Sequence, residues 1–495
     1  MEYKEKRDIL RLIASVQILL ETNFLWNTEN IIAECIEKTE NINVILSKSN
    51  TQKSILERAK RLFNQIKKIN TDDFNSLEKT SKRLLLQFEK LYDDVIKIDC
   101  TIKVVFLPYM VSMWPCLESI YKACENDRYC EVKVVPIPYF ERGNEFSTPL
   151  LHYDAYKFDK NVPISYYKNY SLDKDKPDLA IIHNPYDANN TITMVPAEYF
   201  SSSLLKKVGR VIYIPYYNAR FEYDADLQFK MPGVYNSWRI YVQSDALRKR
   251  YLLSGHNPEK IIGIGSPKSD YIYKMMNSNI DIPIEWEDII KDKTVFFYNT
   301  HMLKIGVHKY EAFDEMNYIL NAFSGRDDLA IIWRPHPLTL EALNTDDEGL
   351  LDLYTSFIHE FKSLKNSILD TSGDYSAAFS VSDAYLGDES SLILEYALLD
   401  KPICIRDEDI KIVQNRFEPD QIFFDMDTLY SFNNKKTLEE FIDKVCIKYD
   451  PKREIRKNAI YDTLGIPDGK IGERIWKSIK SEYEMDILGE FIKDK

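Results

Sequence analysis

Apolar residues near the start of the chain recur at intervals of three and four, which places them on one side of a helix. One such series is Ile9, Ile13, Val16 and Leu20. The first proline is Pro108 and the first glycine is Gly143, so neither helix breaker interrupts the region. The pattern predicts about four helices over residues 1–98, arranged as a bundle or an antiparallel arm.

After residue 100 the pattern changes to short apolar segments that alternate with helix-length amphipathic segments such as 111–126. The first group of strand-length segments is 101–109, 131–139, 178–187, 210–217, 238–244 and 260–270. A less regular stretch, 277–292, is interpreted as a linker. The alternation then resumes with segments 294–301, 329–337, 367–372, 384–388 and 402–405. Such alternation is typical of βαβ units with parallel strands.

The sequence therefore predicts an α/β protein with two doubly wound, Rossmann-like domains that face a cleft, preceded by an all-helical region. We assign the helical region to 1–98, the first α/β domain to 99–276, and the second to 277–495 with trailing helices. Ligands of such sheets bind beyond the carboxyl ends of the strands. Catalytic and binding residues are therefore expected in the loops that follow the predicted strands.

Composition narrows the function classes. A net charge of −13 at pH 7 argues against a general nucleic-acid-binding protein, which needs a basic face. The seven cysteines form no C-x-x-C pair, which is typical of a reducing compartment rather than of a disulfide framework or a zinc site. No segment reaches the roughly 18 apolar residues that cross a bilayer, and the amino terminus lacks the pattern of a signal peptide. We expect a cytoplasmic protein.

The segment Gly387-Asp-Glu-Ser-Ser391 lies between a predicted strand and a predicted helix. The first N–H groups of a helix have no backbone partner, so Asp388 or Ser390 could cap them. Two adjacent hydroxyls and these N–H groups could equally bind a phosphate. The carboxylates of Asp388 and Glu389 would repel a phosphate unless they are turned away. Capping and phosphate binding both remain open.

A second segment, Trp333-Arg-Pro-His-Pro337, directly follows an apolar strand. Its two prolines stiffen the backbone and fix the directions of Arg334 and His336. A guanidinium beside an imidazole at the carboxyl end of a strand suits a phosphate whose charge changes during a reaction. The alternative is a structural loop that happens to contain a histidine.

These two segments resemble the carboxy-terminal half of the CDP-glycerol glycerophosphotransferase family, the teichoic-acid primases and polymerases. Members carry Arg-x-His-Pro, then Thr-Asp-Tyr-Ser-Ser, an acidic residue four positions on, and Lys-Pro. The matching positions here are Arg334, His336, Pro337, Asp388, Ser390, Ser391, Glu395, Lys401 and Pro402. Gly387 and Glu389 replace the family's threonine and tyrosine. A weaker match is Gly265-Ser-Pro-Lys-Ser-Asp270, where the family has Gly-x-Pro-Arg-x-Asp, and the resemblance extends over roughly residues 100–410.

The resemblance implies a GT-B fold in which the second Rossmann-like domain binds most of the nucleotide. It also implies metal-independent transfer of glycerol phosphate from CDP-glycerol to a hydroxyl, without a cofactor. Arg334 and His336 would then be catalytic. The positions implied to bind the nucleotide or its phosphates are Ser390, Ser391, Asp388, Glu395, Gly265 and Lys268, and Glu395 would hold the ribose. His301, after the first strand of the second domain, is a further candidate for contact with the phosphates.

One departure from the family concerns the catalytic base. Members usually carry Trp-His-Gly-Thr after a strand of the first domain, and its histidine is taken to activate the acceptor. The equivalent strand here, within 211–220, has no histidine. We predict that His183 replaces it, with Asp187 or Tyr216 nearby, and that Tyr216 or His301 is the next candidate. The alternative for His183 is a structural loop residue.

Three functions follow from these observations. The first is transfer of glycerol phosphate, or of another polyol phosphate, from a CDP-activated donor to a surface polymer or its lipid-linked precursor. The second is a glycosyltransferase or epimerase that uses a nucleotide sugar. The third is a non-catalytic nucleotide-binding or assembly subunit of a surface-polysaccharide system. For the helical region we expect either contact with the inner face of the membrane or assembly of a homo-oligomer.

Overall fold

The structure is a computed structural model. It describes residues 1–21, 28–49, 51–69, 74–141, 150–190, 192–219, 226–301, 305, 308–336, 339–343, 348–390, 392–416 and 427–492. The chain forms two compact units. The helical unit comprises Met1–Val104, Cys124–Val132 and Trp476–Lys495, and the α/β unit comprises Val105–Ala123 and Lys133–Ile475.

Among its described residues, the helical unit contains α1 (Tyr3–Glu21), α2 (Thr28–Lys48), α3 (Lys53–Ile66) and α4 (Phe74–Ile96), together with most of the last helix, Ile471–Ile492. Helix α1 packs against α2 and α4, and α3 packs against the same two helices. The apolar stripes that the sequence places on one side of each helix are buried, as at Ile13 and Phe88. The buried Lys6 ammonium donates to the carbonyl of Ile96 at 2.6 Å and thereby caps the carboxyl end of α4. The prediction of a helical amino-terminal region is confirmed.

The first sheet has six strands: β1 (Ile102–Phe106), β2 (Cys130–Val134), β5 (Leu179–Ile182), β7 (Arg210–Tyr213), β8 (Arg239–Val242) and β9 (Ile261–Gly263). Their order is β2-β1-β5-β7-β8-β9, and the pairs from β5 onwards are parallel. The boundary between the two units falls within β1 and β2. The helices of this region are Glu118–Glu125, Leu172–Asp175, Ser201–Leu204, Asp226–Phe229, Pro232–Asn236, Asp245–Leu253 and Pro267–Met276.

The second sheet has six strands: β10 (Thr294–Thr300), β11 (Leu329–Pro335), β12 (Ser367–Leu369), β13 (Ala384–Gly387), β14 (Ile403–Arg406) and β15 (Tyr430–Phe432). All are parallel, in the order β12-β11-β10-β13-β14-β15. Its helices are Ile284–Ile290, Tyr310–Phe323, Thr339–Leu343, Glu348–Ser363, Ser376–Val381, Leu392–Ala397, Asp407–Arg416, Lys435–Cys446, Arg453–Leu464 and Ile471–Ile492. The strand order reverses direction between β10 and β13, and ligands of such sheets bind at this switch point.

The two parallel sheets confirm the predicted α/β class, whereas the domain boundaries at 98/99 and 276/277 stay predictions. Three local expectations need correction. The interpreted linker 277–292 contains the helix Ile284–Ile290, whose Trp286 is buried. The predicted helix 111–126 is instead a 3-10 helix, Val111–Cys116, followed by Glu118–Glu125, because Pro115 has no N–H to continue an α-helix.

The third correction is a small antiparallel sheet that the sequence did not predict. Its strands are β3 (Tyr139–Glu141), β4 (Leu150–His152) and β6 (Thr193–Met194), in the order β4-β3-β6. Strands of two or three residues are too short to produce a recognisable alternation of apolar and polar positions.

Candidate functional site

The switch point of the second sheet brings three loops together. In the register of the strands, Asn299 on β10 lies opposite Arg334 on β11 and opposite Gly387 on β13. The residues that follow these positions therefore emerge at the same edge of the sheet. They include two of the predicted site histidines, His301 and His336.

Gly387 lies where β13 comes closest to β10. Its φ is +139°, and an added Cβ atom would lie 2.1 Å from the carbonyl oxygen of Asn299. The next residue, Asp388, donates its N–H to that same carbonyl at 2.9 Å. Only glycine combines this backbone conformation with this close approach.

The side chains of Asp388 and Ser390 are turned toward β10. A carboxylate oxygen of Asp388 accepts from the N–H of His301 at 2.7 Å, and this side chain is buried. The Ser390 hydroxyl donates to the side-chain oxygen of Asn299 at 3.0 Å. Asp388 therefore fixes the loop after β10, whereas Ser390 binds the strand itself. Ser391 lies outside the described residues.

His301 and His336 lie side by side at this edge. Their ring centroids are 5.1 Å apart and the rings are inclined by 57°. The N–H of His336 donates to the carbonyl of Thr300 at 3.0 Å, which holds the loops after β10 and β11 together. Burial and the neighbouring His301 lower the pKa of His336 to about 4, so its ring is neutral at pH 7. Pro337 lies outside the described residues.

The guanidinium of Arg334 is held by hydrogen bonds to the loop after β12. One terminal nitrogen donates to Asp370 at 2.5 Å, and the other donates to the carbonyl of Ser372 at 2.7 Å. The first nitrogen also reaches the carbonyl of Asp374 at 3.3 Å. These contacts fix the loop after β12, so Arg334 has the geometry of a positioning residue rather than of a phosphate ligand.

Glu395 joins the carboxyl-end loops of the two sheets. Its buried carboxylate accepts from Lys268 at 2.6 Å and from Asn218 at 3.3 Å, both of which follow strands of the first sheet. The hydroxyl of Tyr375 donates to the other oxygen. The side chain of Asn218 accepts in turn from Ser266 at 2.6 Å. Sequence reasoning identified Glu395 and Lys268 but missed Asn218 and Tyr375, although Asn218 follows an apolar strand.

Most of the segment 265–270 packs against the start of the last helix, Ile471–Ile492. Gly265, with a φ of +134°, packs against the side chain of Ile471. The carboxylate of Asp270 accepts from the N–H groups of Ile471 and Gly472 at 3.1 and 2.8 Å. Of the two predicted ligands in this segment, Lys268 reaches the Glu395 cluster and Gly265 has a packing role.

His183 is fully buried at the end of β5. Its Nε2 atom accepts from the N–H of Tyr109 at 3.2 Å, and the two rings stack with centroids 5.1 Å apart. The Tyr216 ring meets it edge-on at 6.2 Å, whereas Asp187 binds Ser201 at 2.8 Å. Burial lowers the pKa of His183 to about 3. A ring that is shielded from solvent and resists protonation is poorly suited to act as a general base at neutral pH.

The low pKa of His183 predicts an acid-sensitive contribution to stability. The unfolded chain binds a proton at this residue below its ordinary pKa of about 6.5, whereas the folded chain does so only near 3. The free energy of unfolding therefore falls by about 1.4 kcal/mol for each unit by which the pH is lowered between these two values. Between pH 7 and pH 5 the free energy of unfolding should therefore fall by about 2 kcal/mol more in the native chain than in His183→Gln.

Glutamine is chosen because its side-chain oxygen can still accept from the N–H of Tyr109. Urea unfolding at the two pH values measures the difference, in which the titration of all other groups cancels. Equal acid sensitivity of the two chains would contradict the buried, neutral state of His183.

Residues 235–480 match the family model described as CDP-Glycerol:Poly(glycerophosphate) glycerophosphotransferase. The segments around Gly265, Arg334 and Ser390 all lie within this range, and the resemblance that they predicted is confirmed. No curated protein matches the sequence.

Solved structures with a similar fold include a putative UDP-N-acetylglucosamine 2-epimerase from Listeria monocytogenes, with a TM-score of 0.51 and 12% identity over 78% of this chain and 97% of that chain. The UDP-GlcNAc 2-epimerase from Neisseria meningitidis, bound to UDP-GlcNAc, has a TM-score of 0.50 and 13% identity, over 77% of this chain and 100% of that chain. The wall teichoic acid polymerase TagF has a TM-score of 0.49 and 15% identity, over 88% of this chain and 99% of that chain. The two epimerases confirm the predicted GT-B-like fold.

Two features are absent from the described residues. No helix among them combines the length and the apolar character needed to cross a membrane. Within the same residues, no group of three or more His, Cys, Asp or Glu side chains is arranged to hold a metal ion.

Proposed function

Because residues 235–480 match the CDP-glycerol glycerophosphotransferase family, we propose that the protein transfers glycerol phosphate, or another polyol phosphate, from a CDP-activated donor to a hydroxyl. The acceptor would be a surface polymer or its lipid-linked precursor. The observation that carries the proposal is the pair His301 and His336 at the switch point of the second sheet, where ligands of such sheets bind.

The donor is proposed to bind across this edge. The ribose hydroxyls would donate to Glu395, which already accepts three hydrogen bonds and lies between the two sheets. Lys268, 2.6 Å from Glu395, would supply the positive charge that faces the diphosphate. His336 would contact the phosphate that is transferred, and Arg334 would hold the adjoining loop through Asp370.

The reaction is a substitution at the β-phosphorus. The acceptor oxygen forms a bond to this phosphorus while the bond to the bridging oxygen breaks, and CMP leaves with that electron pair. The proton of the acceptor hydroxyl passes to a general base. Charge that develops on the transferred group and on CMP would be stabilised by Lys268 and by hydrogen bonds from the site, without reorganisation of solvent.

The geometry favours His301 over His183 as the base. His183 is buried, and its Nε2 atom is already occupied by Tyr109. His301 lies at the switch point, beside His336 and only partly buried. We therefore propose that His301 accepts the proton from the acceptor, while His183 contributes to packing at the carboxyl end of β5.

The proposal predicts selective stabilisation by the donor. A ligand present at 100 times its dissociation constant raises the free energy of unfolding by about 2.7 kcal/mol. We expect CDP-glycerol to stabilise the folded chain in this way and CMP to stabilise it less. Both effects are measured as shifts of the thermal unfolding transition. In a transfer assay with a glycerol phosphate acceptor, release of CMP should require that acceptor.

Other outcomes of this experiment would favour the alternatives. Stabilisation by UDP-sugars but not by CDP-glycerol would contradict the proposal and favour a nucleotide-sugar enzyme. Donor binding without release of CMP would indicate a non-catalytic binding subunit. Absence of stabilisation by every nucleotide would exclude both enzyme functions.

A further inference from the structure

The first sheet has a switch point of its own. Its strand order reverses direction between β1 and β5, and ligands of parallel sheets bind at such a point. The stacked rings of Tyr109 and His183, which follow these two strands, form its buried floor. The transferred phosphate is proposed to lie at the switch point of the second sheet, which leaves the switch point of the first sheet for the acceptor.

Two tyrosines lie at the rim of this switch point. Tyr186 follows β5 and Tyr216 follows β7, and their hydroxyl oxygens are 3.4 Å apart. The Tyr216 ring meets the His183 ring edge-on, with the centroids 6.2 Å apart. Both tyrosines are partly exposed, and a single hydrogen bond between two hydroxyls leaves them further capacity to donate and to accept. The pair can therefore bind the hydroxyls of a ligand.

The loop that carries Tyr216 also reaches the proposed donor site. Two residues further on, the side chain of Asn218 donates to Glu395 at 3.3 Å. Because a chain advances by at most about 3.6 Å per residue, the Cα atoms of Tyr216 and Asn218 are no more than about 7 Å apart. A molecule bound by the tyrosine pair would therefore lie next to the donor that Glu395 is proposed to hold.

The chemistry of this edge suits a neutral molecule that is rich in hydroxyls. The described loops after β1, β5 and β7, at 107–117, 183–190 and 214–219, contain no lysine and no arginine. Their carboxylate, that of Asp187, accepts from the N–H of Ser201 at 2.8 Å. Each unit of a glycerol phosphate polymer carries a negative charge, which requires a cationic or otherwise donating partner when it is bound. A sugar ring instead offers C–H groups that pack against aromatic rings, and hydroxyls that bond to phenol groups.

We propose that Tyr186 and Tyr216 bind the acceptor, and that the part of the acceptor bound there is an uncharged sugar unit. This inference rests on the proposed transferase function and narrows its acceptor. The oxygen of a sugar hydroxyl forms the bond to the β-phosphorus, while CMP leaves with the electron pair of the broken bond. The hydroxyl proton passes to the general base, and the product is a phosphodiester between the sugar and the transferred polyol.

Tyr216 has the properties of a ligand rather than of the general base. Burial of most of its side chain, and to a smaller extent the neighbouring Tyr186, raises the pKa of the Tyr216 hydroxyl well above its ordinary value. The hydroxyl therefore keeps its proton at neutral pH and donates it in a hydrogen bond. Phenylalanine at either position would keep the aromatic ring and remove only this hydrogen bonding.

A comparison of acceptors tests the proposal. With CDP-glycerol as the donor, release of CMP is measured with a panel of octyl hexosides and octyl N-acetylhexosaminides, and separately with an octyl-linked trimer of glycerol phosphate. We expect kcat/KM for the best glycoside to exceed that for the trimer at least about tenfold, because binding a phosphate without a cation is unfavourable. A higher kcat/KM for the trimer would overturn the proposal and leave the transferase function intact. Absence of CMP release with either kind of acceptor would overturn the transferase function, and this inference with it.

Removal of single hydroxyls locates the acceptor site. Tyr186→Phe and Tyr216→Phe should each raise the KM for the best glycoside about five- to tenfold, the equivalent of one hydrogen bond, and leave kcat nearly unchanged. Thermal stabilisation by CDP-glycerol should stay the same, because other residues are proposed to hold the donor. The exposed Tyr449, which follows the helix Lys435–Cys446, provides the matched control, and Tyr449→Phe should change neither quantity.

Both tyrosine variants keep the aromatic ring, so the native circular dichroism spectrum is expected for each. An unchanged KM for the glycoside in both variants would overturn the proposal. Equal losses of donor and acceptor affinity would also overturn it, because they would assign the tyrosines to packing of the loop that reaches Glu395.

Discussion

Replacement of Gly387 by alanine is expected to lower the free energy of unfolding by about 3 to 6 kcal/mol. The backbone of Gly387 has a φ of +139°, which an L-residue adopts only with strain. The new methyl group would also lie 2.1 Å from the carbonyl oxygen of Asn299, an atom of the central strand β10. Because backbone cannot move aside as a flexible side chain can, β13 would have to separate from β10.

Gly373 provides the matched control for this substitution. An added Cβ atom at Gly373 has no neighbouring atom within 4 Å, so Gly373→Ala should change the free energy of unfolding by less than about 0.5 kcal/mol. Urea unfolding of the two variants measures the contrast. Equal stability of Gly387→Ala and the native chain would contradict the close approach of β10 and β13 on which the site depends.

Substitution of His301 is expected to reduce turnover by about 10²–10⁴, the usual contribution of a general base, and substitution of His336 is expected to reduce turnover too. His301→Asn should retain affinity for CDP-glycerol, because the proposed role of His301 is to accept the proton of the acceptor. His336→Asn should weaken donor binding as well, because His336 is proposed to contact the transferred phosphate. Rates of CMP release and thermal stabilisation by the donor separate the two effects.

A matched histidine elsewhere in the chain tests whether the loss of turnover is specific to the switch point. The exposed His359, on the helix Glu348–Ser363, provides a control, and His359→Asn should leave turnover unchanged. Full turnover in His301→Asn would contradict its proposed role. The general base would then have to be a residue of the first sheet.

The alternation of apolar and polar positions was sufficient to predict the architecture. Strands β10 to β13 of the second sheet lie within predicted segments, and β14 exceeds its segment only by Arg406, because a buried parallel strand is a nearly continuous apolar run. β15 was missed, since Ser431 interrupts the apolar residues of Tyr430–Phe432. The same pattern also placed Arg334, His336 and Asp388 at strand ends, and the parallel register then requires them to share one edge of the sheet.

The partners of these side chains depended on the tertiary structure. Arg334 is bound to the loop after β12, and Asp388 to the backbone of His301. A local sequence pattern reports the period and the burial of a segment, but it does not report which distant loop a polar group meets. The capping and phosphate-binding alternatives for the segment after β13 could therefore not be separated from sequence.

The environment of His183 shows the same limit. The sequence determined that this histidine follows an apolar strand and therefore lies near the carboxyl edge of the first sheet. Only the tertiary structure decided that Tyr109 covers the ring and binds its Nε2 atom, because Tyr109 follows the neighbouring strand β1. Burial, and with it the pKa of an imidazole, is set by residues from other strands. The sequence of one strand thus determined the position of His183, and its neighbours in the fold determined its chemistry.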